Sequence, residues 1–190
     1  MGERAVVVVD TNTLLNLATP VVDGSSHAPT GEDPLKTLLT VYNVHIPSSV
    51  LGEVAEASND DDLLGVAADL VLAASHRLTT HDVSDERTES LGYGLDRGES
   101  HAIWLANELS ADMFVTDEFN TTNYLFVSLA LDDQNTLFTT PHVLCLLGDR
   151  GLLDTRYVHA LLTYYVKTKH WDQQYVFQLR QRYLTNDTEQ

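Results

Sequence analysis

Residues 5–17 read AVVVVDTNTLLNL, an apolar run that ends at Asp10 and continues into helical spacing. A continuous β-branched run of this length is typical of a central strand that is buried on both faces of a parallel sheet. In open sheets of this kind, ligands bind beyond the carboxyl ends of the strands. Asp10 therefore stands where a functional site is expected.

The rest of the chain alternates further apolar runs with helical patterns. We predict strands at residues 44–47, 113–116 and 136–140, and helices between and after them. Two stretches, 20–34 and 79–95, are irregular and polar or rich in Pro, Gly and Ser, and we interpret them as loops. This alternation predicts an α/β fold, a three-layer α/β/α sandwich around a mostly parallel central sheet.

The predicted helices begin at polar residues that are suited to capping. The first helix begins at about Thr13, before the loop that starts at residue 20. Ser48 or Ser49 caps a later helix, which carries Glu53 in an early turn. After about residue 154, the tail forms two more helices.

The charge of the chain is strongly acidic and unevenly spread. Asp and Glu number 28 against 11 Lys and Arg, which gives a net charge of −17. Residues 150–190 hold six basic and four acidic residues, +2 in all, so residues 1–149 carry −19. We interpret the acidic surface as a halophilic adaptation to a salty cytoplasm or as a face for a basic partner. An anionic ligand is better received by the C-terminal segment.

The single cysteine and the short apolar runs favour a reducing compartment without a membrane span. Cys145 cannot form an intramolecular disulfide by itself, which fits a reducing environment. No apolar run approaches the ~18–20 residues that span a bilayer. The apolar run at the N-terminus is too short for a signal peptide. We expect a soluble cytoplasmic protein that makes no contact with a membrane.

Four carboxylates are expected at one edge of the sheet. Asp10 and Asp117 follow predicted strands, whereas Glu53 and Glu99 lie near the starts of helices that begin at the same edge. Carboxylates that are placed together repel one another, which raises their pKa values and costs stability. A hard divalent cation, which prefers oxygen ligands, removes that cost. Because such ions orient water against a phosphodiester, the pattern indicates metal-dependent hydrolysis.

Four segments of the chain resemble motifs of the PIN-domain family. VVVVDTNTLLNL resembles the opening strand, the Asp-Thr-Asn and the first helix, and IPSSVLGEVAE resembles the segment in which a glutamate follows a strand. LDRGESHAIWLANELSADMFVTDE resembles the Gly-Glu pair that opens a helix, followed by a strand that ends in Thr-Asp. NTLFTTPHVLCLLGDRGLLD resembles the closing strand and helix, so the resemblance covers roughly residues 5–155.

The resemblance implies a metal-dependent endoribonuclease that uses Mg²⁺ or Mn²⁺. It implies either a VapC-type toxin of a toxin–antitoxin pair or an RNA-processing enzyme. It also implies a PIN-like nuclease domain over residues 1–155, with residues 156–190 as a helical extension packed on the same domain. Carried over by residue, the catalytic and metal-binding set is Asp10, Glu53, Glu99 and Asp117, with Asn12 and Thr116 as polar groups behind it and Glu118 as a further candidate ligand.

The expected partners are an RNA substrate, an antitoxin protein and a second copy of the chain in a homodimer. Arg97, two residues before Glu99, is a candidate contact for RNA, as are Arg180 and Arg182 in the basic tail. Aromatic residues of the tail, such as Trp171, are suited to base stacking, to packing or to a dimer contact.

Three of the carboxylates also have a purely structural interpretation. Glu53 is equally suited to a solvated helix face, although we favour metal binding for it. Asp10 is suited to capping the helix that follows it. Asp96 and Glu99 have the spacing of a reciprocal capping box, although the first residue is Asp rather than Ser or Thr. We favour metal binding for both Asp10 and Glu99 and leave Asp96 as the cap.

Other enzyme classes fit the motifs less well. A phosphatase of the haloacid-dehalogenase type needs Asp-x-Asp, and Asn12 stands at the second position. A receiver domain needs a lysine at a late strand end, and no lysine lies between Lys36 and Lys167. The remaining alternative is a catalytically inactive PIN-like scaffold that binds protein or RNA. A metal titration separates the two readings, because a scaffold need not bind Mn²⁺.

Overall fold

Five parallel strands form the centre of the molecule. The computed structural model describes residues 4–88, 97–117, 127–131 and 136–184. The described strands are β1 (Val6–Val9), β2 (Asn43–Pro47), β3 (Thr79–His81), β4 (Met113–Val115) and β5 (Leu137–Phe138). They follow the order β3-β2-β1-β4-β5 across the sheet. Every pairing between them is parallel, which confirms the predicted α/β architecture.

Side chains of the central strand enter two separate cores. Val7 and Val9 face one core, and Val8 faces the other; all three are fully buried. Successive strand residues point to opposite faces of a sheet, so a strand covered on both sides must be apolar at every position. The run of four valines meets that requirement, and it confirms the expected central strand.

Helices cover both faces of the sheet, which gives the predicted three layers. The helix Arg97–Glu108 and the helical residues 127–130 pack in the core on the Val8 side. Most of the other helices pack on the opposite side. The helices are α1 (Thr11–Val22), α2 (Pro34–Val41), α3 (Ser48–Ala57), α4 (Leu63–Ala73), α5 (Asp85–Thr88), α6 (Arg97–Glu108), α7 (Thr140–Asp149), α8 (Thr155–Thr168) and α9 (Gln173–Tyr183).

The loop predicted at residues 79–95 is wrong in its first half. Residues Thr79–His81 form strand β3, and α5 follows it. Strand β3 pairs with β2 at the edge of the described sheet, with Thr79 opposite His45. Thr79 and Thr80 are exposed, so this strand lacks the apolar alternation by which a strand is recognised. Residues 89–96 lie outside the described part of the chain.

Helix α1 continues beyond its predicted end through Pro20 to Val22. A proline has no N–H, so the carbonyl of Asn16, four residues earlier, lacks its usual helical donor. The hydroxyl of Tyr165, from α8, donates a hydrogen bond to that carbonyl instead. The proline is tolerated inside α1 because α8, which is far away in sequence, supplies the missing donor.

Three other predicted boundaries also move. Helix α3 begins at Ser48 after Pro47, with no side-chain cap, so neither Ser48 nor Ser49 caps it as predicted. Strand β5 is shorter than the predicted 136–140, because the hydroxyl of Thr139 caps α7. The pattern after the third predicted strand also predicts a helix from about Thr121 to Leu131; of these residues only 127–131 are described, and 127–130 are helical.

The C-terminal helices share the core of the rest of the chain. Leu161 and Tyr165 of α8 and Val176 of α9 are buried in the same cluster as Val7 and Val9. The domain boundary at residue 155 stays a prediction. No helix among the described residues is both long enough and apolar enough to cross a membrane.

Candidate active site

Asp10 lies at the carboxyl end of β1 and is held by three hydrogen bonds. Its Oδ1 accepts from the backbone N–H of Thr13 at 2.7 Å. Its Oδ2 accepts from the Thr116 hydroxyl at 2.6 Å and from the backbone N–H of Asp117 at 3.3 Å. Asp10 therefore does cap α1, and its other oxygen is directed to the neighbouring strand end. Only 6% of the residue is exposed.

Asp117 lies at the end of the adjacent strand β4 and is held just as firmly. Its Oδ1 accepts from the backbone N–H of Thr140 at 2.8 Å. Its Oδ2 accepts from the side-chain amide of Asn16 at 2.7 Å and from the Thr140 hydroxyl at 2.5 Å. Helix α1 and the start of α7 thus fix the carboxylate from two sides.

Asp10 and Asp117 form an electrostatically unfavourable pair. Burial raises the pKa of Asp10. Burial, together with the nearby charge of Asp10, raises the pKa of Asp117 to about 6. Among the described residues, neither carboxylate forms a salt bridge with Lys, Arg or His. Because hydrogen bonds alone do not neutralise two adjacent carboxylates, the pair is suited to binding a cation.

Glu53 is attached to the same edge through the residue that follows Asp10. The hydroxyl of Thr11 donates a hydrogen bond to Glu53 Oε2. The other carboxylate oxygen lies against Gly98, at the start of α6, where an added Cβ would be only 2.2 Å from Oε1. The glycine of the Gly-Glu pair is therefore required to leave room for Glu53. The positive end of the α6 dipole also stabilises the negative charge of the Glu53 carboxylate.

Glu99 lies beside Gly98 in the first turn of α6 and is half-buried. It therefore shares the helix end that contacts Glu53. Among the described residues, no three His, Cys, Asp or Glu side chains approach closely enough to hold one metal ion. The convergence of all four carboxylates on a shared cation stays a prediction. Asp96 and Glu118 lie outside the described residues.

Asn16 and Thr140 contact the site but are absent from the set predicted from sequence. Asn12, the predicted polar neighbour, is exposed, whereas Asn16 is buried and contacts Asp117. Asn16 stands in the apolar run LLNLA, and a buried asparagine requires a hydrogen-bond partner. The sequence therefore offered a reason to include Asn16 in the predicted site. Thr140 follows β5, so the strand-end rule that selected Asp10 and Asp117 also applies to it.

The three arginines predicted to contact RNA differ in what their side chains bind in the structure. Arg97 forms a salt bridge with Asp85, with Nε and Oδ1 2.7 Å apart, and this bond lowers the pKa of the Asp85 carboxyl. Arg180 donates to the carbonyl of His159 at 3.0 Å and to the hydroxyl of Thr163 at 2.8 Å, both in α8. Arg182 instead lines a cleft.

That cleft adjoins Asp117 and has a volume of about 850 Å³. One wall is the strand end and helix start around Thr139 and His142, and the other is the connection between α8 and α9 together with α9 itself. We call it the C-terminal cleft; its charged and aromatic lining includes Asp117, Asp172, Lys169, Arg182, Trp171 and Tyr175.

Comparison with known proteins gives one match. A family model described as a PIN domain matches residues 30–125, which is just over half of the 190 residues. The matched segment contains Glu53, Glu99 and Asp117. Searches of the curated proteins and of the solved structures found no match.

Proposed function

Since this chain belongs to the PIN-domain family, a family of nuclease-type fold, we propose that it is a metal-dependent endoribonuclease. The proposed catalytic and metal-binding residues are Asp10, Glu53, Glu99 and Asp117. The observation that carries the proposal is the contact between the buried Asp10 and the half-buried Asp117, which leaves two negative charges at the carboxyl edge of the sheet without a salt bridge to a described residue.

The residues at this edge fit a hard divalent cation. Their donor atoms are carboxylate oxygens, the ligands that Mg²⁺ and Mn²⁺ prefer. Each carboxylate has about four lone-pair sites. Asp10 and Asp117 each accept three hydrogen bonds, so each retains capacity for a cation. When bound, the ion would activate water and stabilise charge on a phosphodiester.

The protein's own contribution is to hold these oxygens in place. Thr116 and the N–H of Thr13 fix the orientation of Asp10. Asn16 and Thr140 do the same for Asp117. Ligands that are already oriented lose little conformational freedom on binding, which favours both affinity and correct geometry. Glu53 and Glu99 approach from α3 and α6, and we propose that they complete the set.

The experiment that tests this function is cleavage of single-stranded RNA with Mn²⁺ and with EDTA. We expect cleavage only with Mn²⁺, and we expect Asp10→Asn to abolish it while circular dichroism shows an intact fold. Asp69→Asn is the matched control, because it removes one carboxylate from the exposed face of α4. Full activity in Asp10→Asn would exclude Asp10 as a ligand.

A catalytically inactive PIN-like scaffold is the second candidate. The observation that favours it is the lack, among the described residues, of three metal-ligating side chains within reach of one ion. In that case the chain would bind RNA or protein and would not cleave RNA with any divalent metal. The cleavage assay separates the two candidates directly.

We further propose a role as the toxin of a toxin–antitoxin pair or in RNA processing, with a homodimer as the working form. A neighbouring reading frame that encodes a DNA-binding antitoxin would favour the toxin role. The net charge of −17 supports a protein adapted to a salty cytoplasm.

A further inference from the structure

The C-terminal cleft contains two cations that have no counter-charge within hydrogen-bonding distance. Lys169 and Arg182 line it, and neither side chain forms a hydrogen bond or a salt bridge with another described residue. The Arg182 guanidinium does lie over the Tyr183 ring, 5.3 Å from its centre. By contrast, Arg97 is paired with Asp85, and Arg180 is bonded to α8. Asp117 and Asp172 also line the cleft, so its two cations balance two carboxylates. In a chain of net charge −17, this concave surface is therefore less acidic than average and holds two groups that can contact a phosphate.

An aromatic ring stands between these cations in the chain and is held rigidly. Trp171 stacks on Tyr165, with ring centroids 4.4 Å apart and planes 24° from parallel. Trp171 also lines the cleft and is half-buried, so one face is covered by Tyr165 while the ring still borders the open space. A fixed, partly open aromatic ring is the kind of surface on which nucleobases stack.

The cleft is connected to the candidate active site through hydrogen bonds. The hydroxyl of Tyr175, on the α9 wall, lies 2.9 Å from that of Thr139 on the opposite wall. The next residue, Thr140, holds both oxygens of Asp117. Asp117 itself lines the cleft. A ligand in the cleft is therefore adjacent to Asp117 and, through it, to Asp10.

We infer that the C-terminal cleft binds a nucleotide of single-stranded RNA next to the phosphate that is cleaved. Its base stacks on Trp171, and its phosphate contacts Lys169 and Arg182. The volume of about 850 Å³ lies within the ~300–1,000 Å³ of typical ligand pockets, enough for a nucleotide. The inference rests on the proposed function, because it places the RNA relative to the proposed catalytic carboxylates.

The test is the affinity of the full chain for a labelled single-stranded RNA in EDTA, measured by fluorescence anisotropy. Lys169→Met keeps the half-buried stem and removes the charge, and Arg182→Gln removes the second charge. We expect each change to weaken binding about tenfold, as for a hydrogen bond to a charged group. We expect each also to make the salt dependence shallower by ~0.7 in log–log slope.

Lys167→Met is the matched control, because Lys167 is an exposed lysine of α8, two residues from Lys169, that does not line the cleft. It should leave affinity within about twofold, as for a surface charge away from the ligand. Bases that are paired in a duplex cannot reach an aromatic ring, so double-stranded RNA of the same sequence should compete poorly. In Trp104→Phe, which leaves Trp171 as the single tryptophan, RNA should quench the fluorescence with the same midpoint.

Unchanged affinity and salt slope in both Lys169→Met and Arg182→Gln would overturn the inference. So would equal losses in Lys167→Met, or failure of the native chain to bind the RNA in EDTA. These outcomes are distinguishable from failure of the proposed function. If RNA is cleaved with Mn²⁺ but the two variants bind normally, only the cleft assignment fails. If the variants lose binding but no RNA is cleaved, only the nuclease assignment fails.

Discussion

Asp117 donates its backbone N–H to Oδ2 of Asp10, with N and Oδ2 3.3 Å apart, so the ends of β4 and β1 bring the buried Asp10 and the half-buried Asp117 together. The same oxygen also accepts the hydroxyl of Thr116. The carboxyl ends of neighbouring parallel strands lie at the same edge of a sheet, and the strand order places β4 beside β1. The topology thus creates the charge that a metal ion would neutralise.

The pair should make the metal-free protein more stable in mild acid. The pKa of Asp117 is raised to about 6 in the folded protein, from 3.8 without the fold. The folded protein therefore holds the Asp117 proton more tightly than the unfolded chain does. The stability that this proton contributes is fully present below pH 3.8 and is lost as the pH rises through 6. In EDTA, native protein should lose roughly 2–3 kcal/mol of unfolding free energy between these pH values relative to Asp117→Asn. If the unfolding free energies of the native protein and Asp117→Asn changed equally with pH across this range, the raised pKa of Asp117 would be contradicted.

Gly98→Ala should displace Glu53 without destabilising the fold. The nearest atoms to the added Cβ all belong to the Glu53 carboxyl group, the flexible end of its side chain. The helix itself gains up to about 1 kcal/mol from alanine. We therefore expect unchanged or higher thermal stability but roughly 10–100-fold slower RNA cleavage, comparable to the loss of a group that supports a metal ligand.

The control for that change is Gly52→Ala, one residue before Glu53, where an added Cβ meets no atom within 4 Å. It should leave cleavage unchanged. In a Glu53→Gln background, Gly98→Ala should have no further effect, because the displaced carboxylate is already absent. Additive losses in the double variant would mean that Gly98 acts through something other than Glu53.

Tyr165→Phe should destabilise the protein, because it leaves the buried carbonyl of Asn16 without a donor. The expected cost is about 1–3 kcal/mol of unfolding free energy, measured by urea denaturation. Pro20→Ala supplies a backbone N–H to the same carbonyl. Tyr165→Phe should accordingly cost much less in the Pro20→Ala background. An equal cost in both backgrounds would show that the hydroxyl is not the substitute donor.

The sequence predicts the sheet well where burial determines composition. Val6–Val9 could be recognised as a central strand because both of its faces must be apolar. The polar edge strand Thr79–His81 could not, since its stability comes from backbone pairing with β2. The continuation of α1 through Pro20 depends on Tyr165, which is distant in sequence. Local patterns carry no information about such partners.

Candidate ligands follow from the strand-end rule, but their supporting contacts do not. Asp10 and Asp117 were identified because both follow apolar strands. Asn16 and Thr140, which orient Asp117, are separated from it along the chain and meet it only in the fold. Arg180 and Arg182 look equivalent in sequence, yet one bonds to α8 and the other lines the C-terminal cleft. Two residues along a helix point in different directions, which explains the difference.

The most direct measurement of the central claim is a Mn²⁺ titration followed by the electron paramagnetic resonance of free Mn²⁺, in salt that screens the acidic surface. We predict saturable binding by the native chain. Because loss of a group that merely supports a ligand costs about 10–100-fold in metal affinity, Asp10→Asn and Asp117→Asn should each weaken binding by about a hundredfold or more. Asp69→Asn should bind like the native chain. Equal Mn²⁺ affinity in all four proteins, or no saturable binding by the native chain, would contradict the account.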